Sequence, residues 1–301
     1  MASLTWIMAI ERNLGRLAAA LNSLKELPMS YAAMMVHLDV DRDSEQRVQL
    51  ALDLADCFEA SLTGVAGLAL RPTFSAGGLA VFSEPSERDL RQMTVSFDEM
   101  GKKFLTQGRD LKHVEWRSAL EPPSELLVRE ARAADLVIVG TRHGGDNRHD
   151  FFDPGIVLLR AGRPILVVPD IVHPLALRRV VVAWKDAREC RRAVRDALPF
   201  LQRAKEVLIL ELGEDGSKSD ARKAISEVAS YLARHQVVVA DEIWRPARGP
   251  VATQLLRFAQ DEKADLIVAG GYGHSRLGEW IFGGVTHELL TASPVCCMLS
   301  H

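Results

Sequence analysis

Cysteine is scarce in this chain of 301 residues, which contains only four. Cys296 and Cys297 are neighbours in a predicted strand, so their side chains should point to opposite faces. Cys57 and Cys190 fall in predicted helices, and the spacing does not indicate a disulfide framework. We expect all four to be small buried side chains of a cytoplasmic protein in a reducing compartment.

Strong net charge and long apolar runs are also missing. The formal net charge is −3 and the isoelectric point is near 6.3, which gives no global attraction to nucleic acid or to an anionic membrane. No apolar run approaches the length that spans a bilayer. We therefore expect neither nucleic acid nor membrane as a partner, and the length fits two domains of about 130–150 residues.

The first 28 residues are treated separately because they precede the first predicted strand. Their aliphatic residues are spaced by three and four, which is typical of an amphipathic helix. These residues are Ile7, Ile10, Leu14, Leu17, Leu21 and Leu24. The segment lacks the basic start of a signal peptide. Three interpretations stay open: a helix packed on its own domain, a short coiled-coil seam, or a misassigned start with translation beginning at Met29.

What the sequence does contain is an internal repeat with an offset of 130 residues. Residues 134–140 read ADLVIVG, and residues 264–270 read ADLIVAG. Residues 163–168 read RPILVV, and residues 293–298 read SPVCCM. Nothing is inserted or lost between these blocks, so the two copies can be compared position by position.

The two copies differ in the glycines between the repeated blocks. The second copy has Gly273, Gly283 and Gly284, and the first has His143, Asp153 and Pro154 at the same positions. The halves should therefore share a fold, although only the second keeps the glycines that a ligand would need.

Short apolar runs alternate with helical segments in both halves. The predicted strands are 34–38, 61–68, 113–117, 135–139 and 165–168, then 180–184, 206–212, 237–243, 265–269 and 295–299. The predicted helices are 44–59, 87–107 and 124–133, then 187–203, 219–235, 250–262 and 286–292. Apolar runs of this kind are typical of strands buried on both faces. The pattern predicts an α/β fold of two tandem, doubly wound parallel-sheet domains.

The domain boundaries follow from this pattern. We place the first domain at 30–169 and the second at 175–301, with a short linker that leaves little slack. The first half carries about 16 extra residues, which we assign to a surface loop at 71–86. The last strands of the two halves are apolar and would be prone to aggregation if exposed. We therefore predict that they lie in the contact between the domains.

A glycine-rich segment follows the fourth predicted strand of the second half. Residues 270–275 read GGYGHS, and residues 282–286 read FGGVT before a short helix. Open α/β sheets bind ligands at this end of the strands, and backbone N–H groups at glycines and at a helix start suit an anion. A tight turn with a closely packed helix is the alternative. The spacing is not that of a P-loop, and its place after the fourth strand fits the Rossmann fingerprint poorly.

This spacing resembles the nucleotide signature of the universal stress protein family, G-x2-G-x9-G-[S/T]. Gly270, Gly273 and Gly283 match the glycines, and Gly284 stands at the hydroxyl position. Residues 30–300 look like two such domains in tandem. The resemblance implies adenine nucleotide alpha hydrolase-like domains with strand order 3-2-1-4-5. It also implies that ATP or AMP is held between the first and fourth strands.

The resemblance also implies which residues contact the nucleotide. They are Ala183, Trp184, Lys185, Leu212, Gly270, Gly273, Gly283, Gly284, Val285 and Thr286. Leu212 falls where the family supplies a backbone contact to adenine. Lys185 stands where ATP-binding members carry an acidic residue. Lysine cannot accept a hydrogen bond from a ribose hydroxyl, but it could attract phosphate.

The first half departs further from the family pattern. It retains Asp39 after its first strand and Gly140 after its fourth. Pro154 has no N–H to offer a phosphate, and Asp153 would repel one. We therefore interpret the first half as a degenerate site.

One loop of the first half contains residue types that can bind metal ions. It holds His143, Asp146, His149, Asp150 and Asp153. The flanking glycines and polar residues favour a flexible polar loop instead, and we predict no metal site.

The leading interpretation is a regulatory stress-response module that binds an adenine nucleotide, with little or no catalysis. A ligand-free structural or interaction module is the first alternative, and Lys185 and Gly284 keep it open. An enzyme that hydrolyses or activates ATP is the second, but the Ser-Gly-Gly-x-Asp-Ser and His-x-Gly-His motifs are absent. His274 and Ser275 lack an aspartate to complete a triad. Besides the nucleotide, we expect pairing between the two halves, and a homodimer stays open.

Overall fold

The computed structural model describes residues 30–301 apart from seven short gaps. The gaps are 70–72, 75–79, 82–85, 143–151, 173, 214–217 and 274–283. The predicted amphipathic helix at 1–28, Gly283, His274, Ser275 and most of the His/Asp loop lie outside the described residues.

A ten-stranded sheet runs through both halves. The strands of the first half in this sheet are β1 Ala33–His37, β2 Ser61–Gly67, β5 Val114–Ala119, β6 Leu136–Gly140 and β7 Ile165–Val168. Those of the second half are β8 Arg179–Ala183, β9 Glu206–Gly213, β10 Val239–Pro246, β11 Leu266–Gly270 and β12 Cys296–Ser300. The order is β5-β2-β1-β6-β7-β12-β11-β8-β9-β10. Each half therefore has the predicted order 3-2-1-4-5, and all pairs within a half are parallel.

Nine helices connect the strands in the part of the chain that the structure describes. In the first half they are α1 Glu45–Phe58, α2 Glu87–Gln107, α3 Pro123–Glu130 and α4 Pro154–Arg160. In the second half they are α5 Arg188–Asp196, α6 Leu198–Leu201, α7 Lys218–Arg234, α8 Val251–Asp261 and α9 Gly284–Thr291. Two hydrophobic clusters cover the two faces of the sheet, with Met34 and Val36 in one and Met35 in the other. This alternation explains why the strands are continuous apolar runs.

Several boundaries differ from the sequence-based expectation. The helix predicted at 187–203 is divided into α5 and α6, because Pro199 cannot donate the backbone hydrogen bond that a continuous helix needs. The helix predicted at 124–133 ends at Glu130 and continues as a 3-10 turn. The expected surface loop at 71–86 contains a two-stranded pair, β3 Thr73–Phe74 and β4 Ala80–Val81.

The cysteines agree with expectation at three of four positions. Cys190, Cys296 and Cys297 are buried, and the last two lie in the clusters on opposite faces of the sheet. Cys57 is exposed, so the expectation that it is buried was wrong. It follows Asp56 on the outward side of an amphipathic helix, where the helical period leaves one face to solvent.

The two halves join through their last strands. β12 pairs with β7 in an antiparallel manner, with Met298 opposite Leu166, and both strands are fully buried. The predicted contact between these strands is confirmed. Antiparallel pairing of equivalent strands relates the two halves by an approximate two-fold axis.

An aromatic cluster reinforces this junction beside the sheet. Tyr31 and Phe58 of the first half contact Phe200 of the second, with ring centroids 5.2–5.5 Å apart. The hydroxyl of Tyr31 donates a hydrogen bond to the carbonyl of Asp196 over 2.7 Å. Burial of these rings ties α6 to the first half.

We expect Phe200→Ala to destabilise the protein by about 3–5 kcal/mol, because it removes a fully buried ring from this junction. The free energy of unfolding is measured by urea denaturation. Val95→Ala is the control, since Val95 is 54% exposed and should change stability by no more than about 0.5 kcal/mol. Similar losses in the two variants would contradict the packing role of Phe200.

Candidate functional site

A cavity of about 870 Å³, including space open to solvent, lies at one end of the second half's sheet. It is formed by the carboxyl ends of β8, β9 and β11 and by the amino-terminal parts of α5, α8 and α9. The lining residues are Ala183, Trp184, Lys185, Ala187, Glu189, Cys190, Leu210, Leu212, Val251, Leu255, Ala269, Gly270, Gly273, Gly284, Val285 and Thr286. Its position is typical of small-molecule sites in open α/β sheets.

The residues predicted from the sequence converge on this cavity. Every one of them except Gly283, which lies outside the described residues, lines it. Leu212 lies at the end of β9, and Ala183, Trp184 and Lys185 lie at the end of β8. The fold thus brings together side chains that are up to about one hundred residues apart in the sequence.

Two glycines permit close packing at the floor of the cavity. A Cβ atom on Gly270 would lie 2.6 Å from the backbone nitrogen of Cys190. Contacts that short do not occur, so only glycine lets α5 begin directly against the end of β11. A Cβ atom on Gly273 would lie 3.0 Å from Oε2 of Glu189. Among the described residues, no atom lies within 4 Å of the corresponding position on Gly284, at the start of α9.

The loop after β11 is hydrogen-bonded to α9 and contacts the first half. The N–H of Tyr272 donates a hydrogen bond to Oγ1 of Thr286 over 3.0 Å. Tyr272 has a φ of 55°, which is rare for an aromatic residue. Its hydroxyl contacts Gly155 of α4, and burial, followed by the nearby charge of Asp153, raises the pKa of Tyr272 to about 12. The phenol therefore stays neutral at physiological pH.

Glu189 is the charged residue among the seven described lining residues that sequence reasoning missed. It is the second residue of α5 and is only 8% exposed. Lys185, in contrast, has an exposed side chain at the mouth of the cavity. The glycine motif gave no signal for Glu189, because the motif lies about eighty residues further along the chain.

In the first half, Arg47 covers the position that corresponds to the floor of this cavity. A Cβ atom on Gly140 would collide with the guanidinium of Arg47. Arg47 donates through Nε to the carbonyl of His37 over 2.9 Å and through Nη2 to the hydroxyl of Ser44 over 2.8 Å, and it forms an ion pair with Asp39. These contacts hold a side chain where the second half has open space.

The start of α4 is also occupied by the protein itself. Asp153 is the N-cap residue, and its carboxylate accepts a hydrogen bond from the N–H of Gly155 over 2.8 Å. Pro154 follows and has no N–H to donate. The donors that a phosphate would use are therefore taken or missing, which agrees with the prediction of a degenerate site.

The second half of the chain matches a known protein family. Residues 176–301 match the model of the universal stress protein family. The second half of the chain is a universal stress protein domain. The resemblance inferred from the glycine spacing is thereby confirmed. The comparison with curated proteins found no match.

Solved structures extend the likeness in fold to both halves. A universal stress protein from Archaeoglobus fulgidus DSM 4304 superposes with a TM-score of 0.67 at 16% identity, over 89% of this chain and 97% of that one. A protein of unknown function from Pseudomonas aeruginosa PAO1 gives a TM-score of 0.55 at 14% identity, over 88% and 92%. At these identities the likeness concerns the fold alone.

The described residues contain no group of three or more His, Cys, Asp or Glu side chains that could hold a metal ion. Of the His/Asp loop noted in the sequence, Asp153 alone is described, and it caps α4. No described helix combines the length and apolar character needed to cross a bilayer.

His37 is a buried titratable group beside the covered site of this universal stress protein fold. It is 1% exposed, its ring stacks on Phe152 with centroids 4.2 Å apart, and neither ring nitrogen has a hydrogen-bond partner among the described residues. Burial lowers the pKa of His37 to about 4, with Asp39 opposing the shift and Arg47 adding to it. The folded protein therefore holds this ring neutral.

This depressed pKa predicts an acid-sensitive contribution to stability. The unfolded chain takes up the proton near pH 6.5, whereas the folded chain takes it up only near pH 4. Stability is consequently lost as the pH falls through this window. We expect the wild type to lose about 2 kcal/mol more than His37→Phe between pH 7 and pH 5, as measured by denaturant titration.

The exposed residue His113 supplies the control. The variant His113→Gln should keep the pH dependence of the wild type. An unchanged pH profile in His37→Phe would show that His37 is not the group that titrates.

Proposed function

We propose that the second half binds an adenine nucleotide, AMP or ATP, in the cavity at the ends of β8, β9 and β11. We further propose that the protein is a regulatory stress-response module with little or no catalysis. The observation that carries the proposal is the convergence of the predicted residues on one cavity that the start of α9 lines.

The chemistry of the lining suits the parts of such a ligand. Leu210, Leu212 and Leu255 provide an apolar wall against which a purine ring can pack. Gly284 begins an eight-residue helix whose first N–H groups and positive dipole end can receive a phosphate. Lys185 adds a mobile positive charge at the mouth.

Little in the described lining supports covalent catalysis. Cys190 is the nucleophilic side chain there, and burial raises the pKa of its thiol above the usual value. A thiol that stays protonated at neutral pH is a poor nucleophile. The absence of the ATP-activating motifs from the sequence points the same way.

The start of α9 offers a test with a matched pair of variants. Gly284→Asp and Gly284→Asn add side chains of similar size at a position with free space around it, but only the first adds charge. We expect Gly284→Asp to weaken AMP and ATP binding at least tenfold, because a lost charge-assisted hydrogen bond costs about 1.5–3 kcal/mol. Gly284→Asn should weaken it far less. Isothermal titration calorimetry measures both.

Gly140→Ala in the first half is a second control and should leave nucleotide binding unchanged. Mass spectrometry of ligand retained by the purified protein gives an independent readout. If the wild type gives no heat with AMP or ATP and retains no nucleotide, the ligand-free interaction module becomes the better explanation. Steady release of phosphate from ATP would favour the enzyme.

A further inference from the structure

Glu189 places a carboxylate inside the proposed nucleotide cavity. Its Cβ atom lies 2.9 Å from the position of a Cβ on Gly270, and its Oε2 atom lies 3.0 Å from the same position on Gly273. The side chain therefore extends along the loop that follows β11. Glu189 is the one acidic side chain among the lining residues that the structure describes.

The charge of this carboxylate is only partly balanced. Arg188 Nη2 lies 3.2 Å from Oε1, but the Arg188 side chain is 70% exposed and its charge is shared with solvent. The carboxylate also lies in the first turn of α5, near the positive end of the helix dipole. A ligand in the cavity consequently meets a negative charge on the Gly273 side.

The first half carries the opposite charge beside its corresponding glycine. The guanidinium of Arg47, not a carboxylate, lies against the position of a Cβ atom on Gly140. The buried carboxylate is thus found in the half whose loop keeps Gly270 and Gly273.

We propose that Glu189 sets the charge preference of the site, so that it takes a nucleoside or nucleoside monophosphate in preference to a triphosphate. This inference rests on the proposed function. A carboxylate only accepts hydrogen bonds, so it can pair with ligand hydroxyl groups but repels phosphate oxygens. The two additional phosphate groups of a triphosphate, held near it in a partly desolvated cavity, should together weaken binding by roughly tenfold.

The position of Lys185 supports this assignment. Lysine at the end of β8 cannot accept a hydrogen bond from a sugar hydroxyl. Glu189 supplies the missing acceptor from the first turn of α5 instead. The acidic and basic groups of the cavity are therefore separated, with the base at the exposed mouth and the acid at the buried loop.

Calorimetry with adenosine, AMP and ATP in EDTA tests the inference, using wild type and Glu189→Gln. We expect the ratio of the dissociation constants for ATP and AMP to fall roughly tenfold in the variant. The affinity for adenosine should change by less than about twofold, because the glutamine oxygen still accepts a hydrogen bond.

Glu242→Gln is the matched control. It makes the same substitution on β10, but Glu242 is exposed and does not line the cavity. The ratio of its dissociation constants for ATP and AMP should equal that of the wild type.

Arg188→Gln is a second test that does not alter Glu189. It removes the charge that partly balances the carboxylate, so the ratio of the dissociation constants for ATP and AMP should rise. Thermal melts establish that each variant is folded.

The outcomes separate the inference from the proposed function. Binding with an unchanged ratio in both Glu189→Gln and Arg188→Gln overturns the inference alone. Weaker binding of ATP to Glu189→Gln than to the wild type also overturns the inference. If excess Mg²⁺ in addition makes the wild type prefer ATP, the carboxylate binds a cation that accompanies the phosphates. If neither the wild type nor any variant binds adenosine, AMP or ATP, the proposed function and the inference fail together.

Discussion

The antiparallel pairing of β7 with β12 is the interaction on which the rest of the structure depends. Both strands are apolar and buried, and either one alone would leave an unpaired, aggregation-prone edge of the sheet. Their pairing merges two five-stranded parallel sheets into one sheet of ten strands. Because the join is antiparallel, the loops at the ends of each sheet meet helices of the other half.

That join makes the open cavity dependent on both halves. Tyr272 belongs to the loop that lines the cavity, yet its ring lies against α4 of the first half near Gly155. Its left-handed backbone conformation is costly for a residue with a side chain. Burial across the junction and the hydrogen bond to Thr286 offset that cost. The first half thus supports the site of the second, while Arg47 covers Gly140 in its own sheet.

The two halves show how one fold can keep or lose a ligand site through a few side chains. In the first half, Arg47 and Asp153 use internal hydrogen bonds and an ion pair to satisfy the groups at the strand ends. In the second, Gly270 and Gly284 leave those groups accessible. The difference lies in charge and volume at equivalent positions, since the strand order is the same in both halves.

The sequence by itself determined the repeat and the alternation of strands with helices, because apolar periodicity is a local property of the chain. The strand order and the residues expected around the nucleotide came from the family resemblance that the glycine spacing carries. The sequence also indicated that the last strands meet, since apolar edges need a partner. Only the tertiary structure decided that Glu189 enters the cavity and that Arg47 covers Gly140. Both side chains belong to helices that follow the first strands, and their contacts are with glycines more than eighty residues away. Such contacts depend on how closely a helix approaches a strand, and no local pattern in the sequence records that distance.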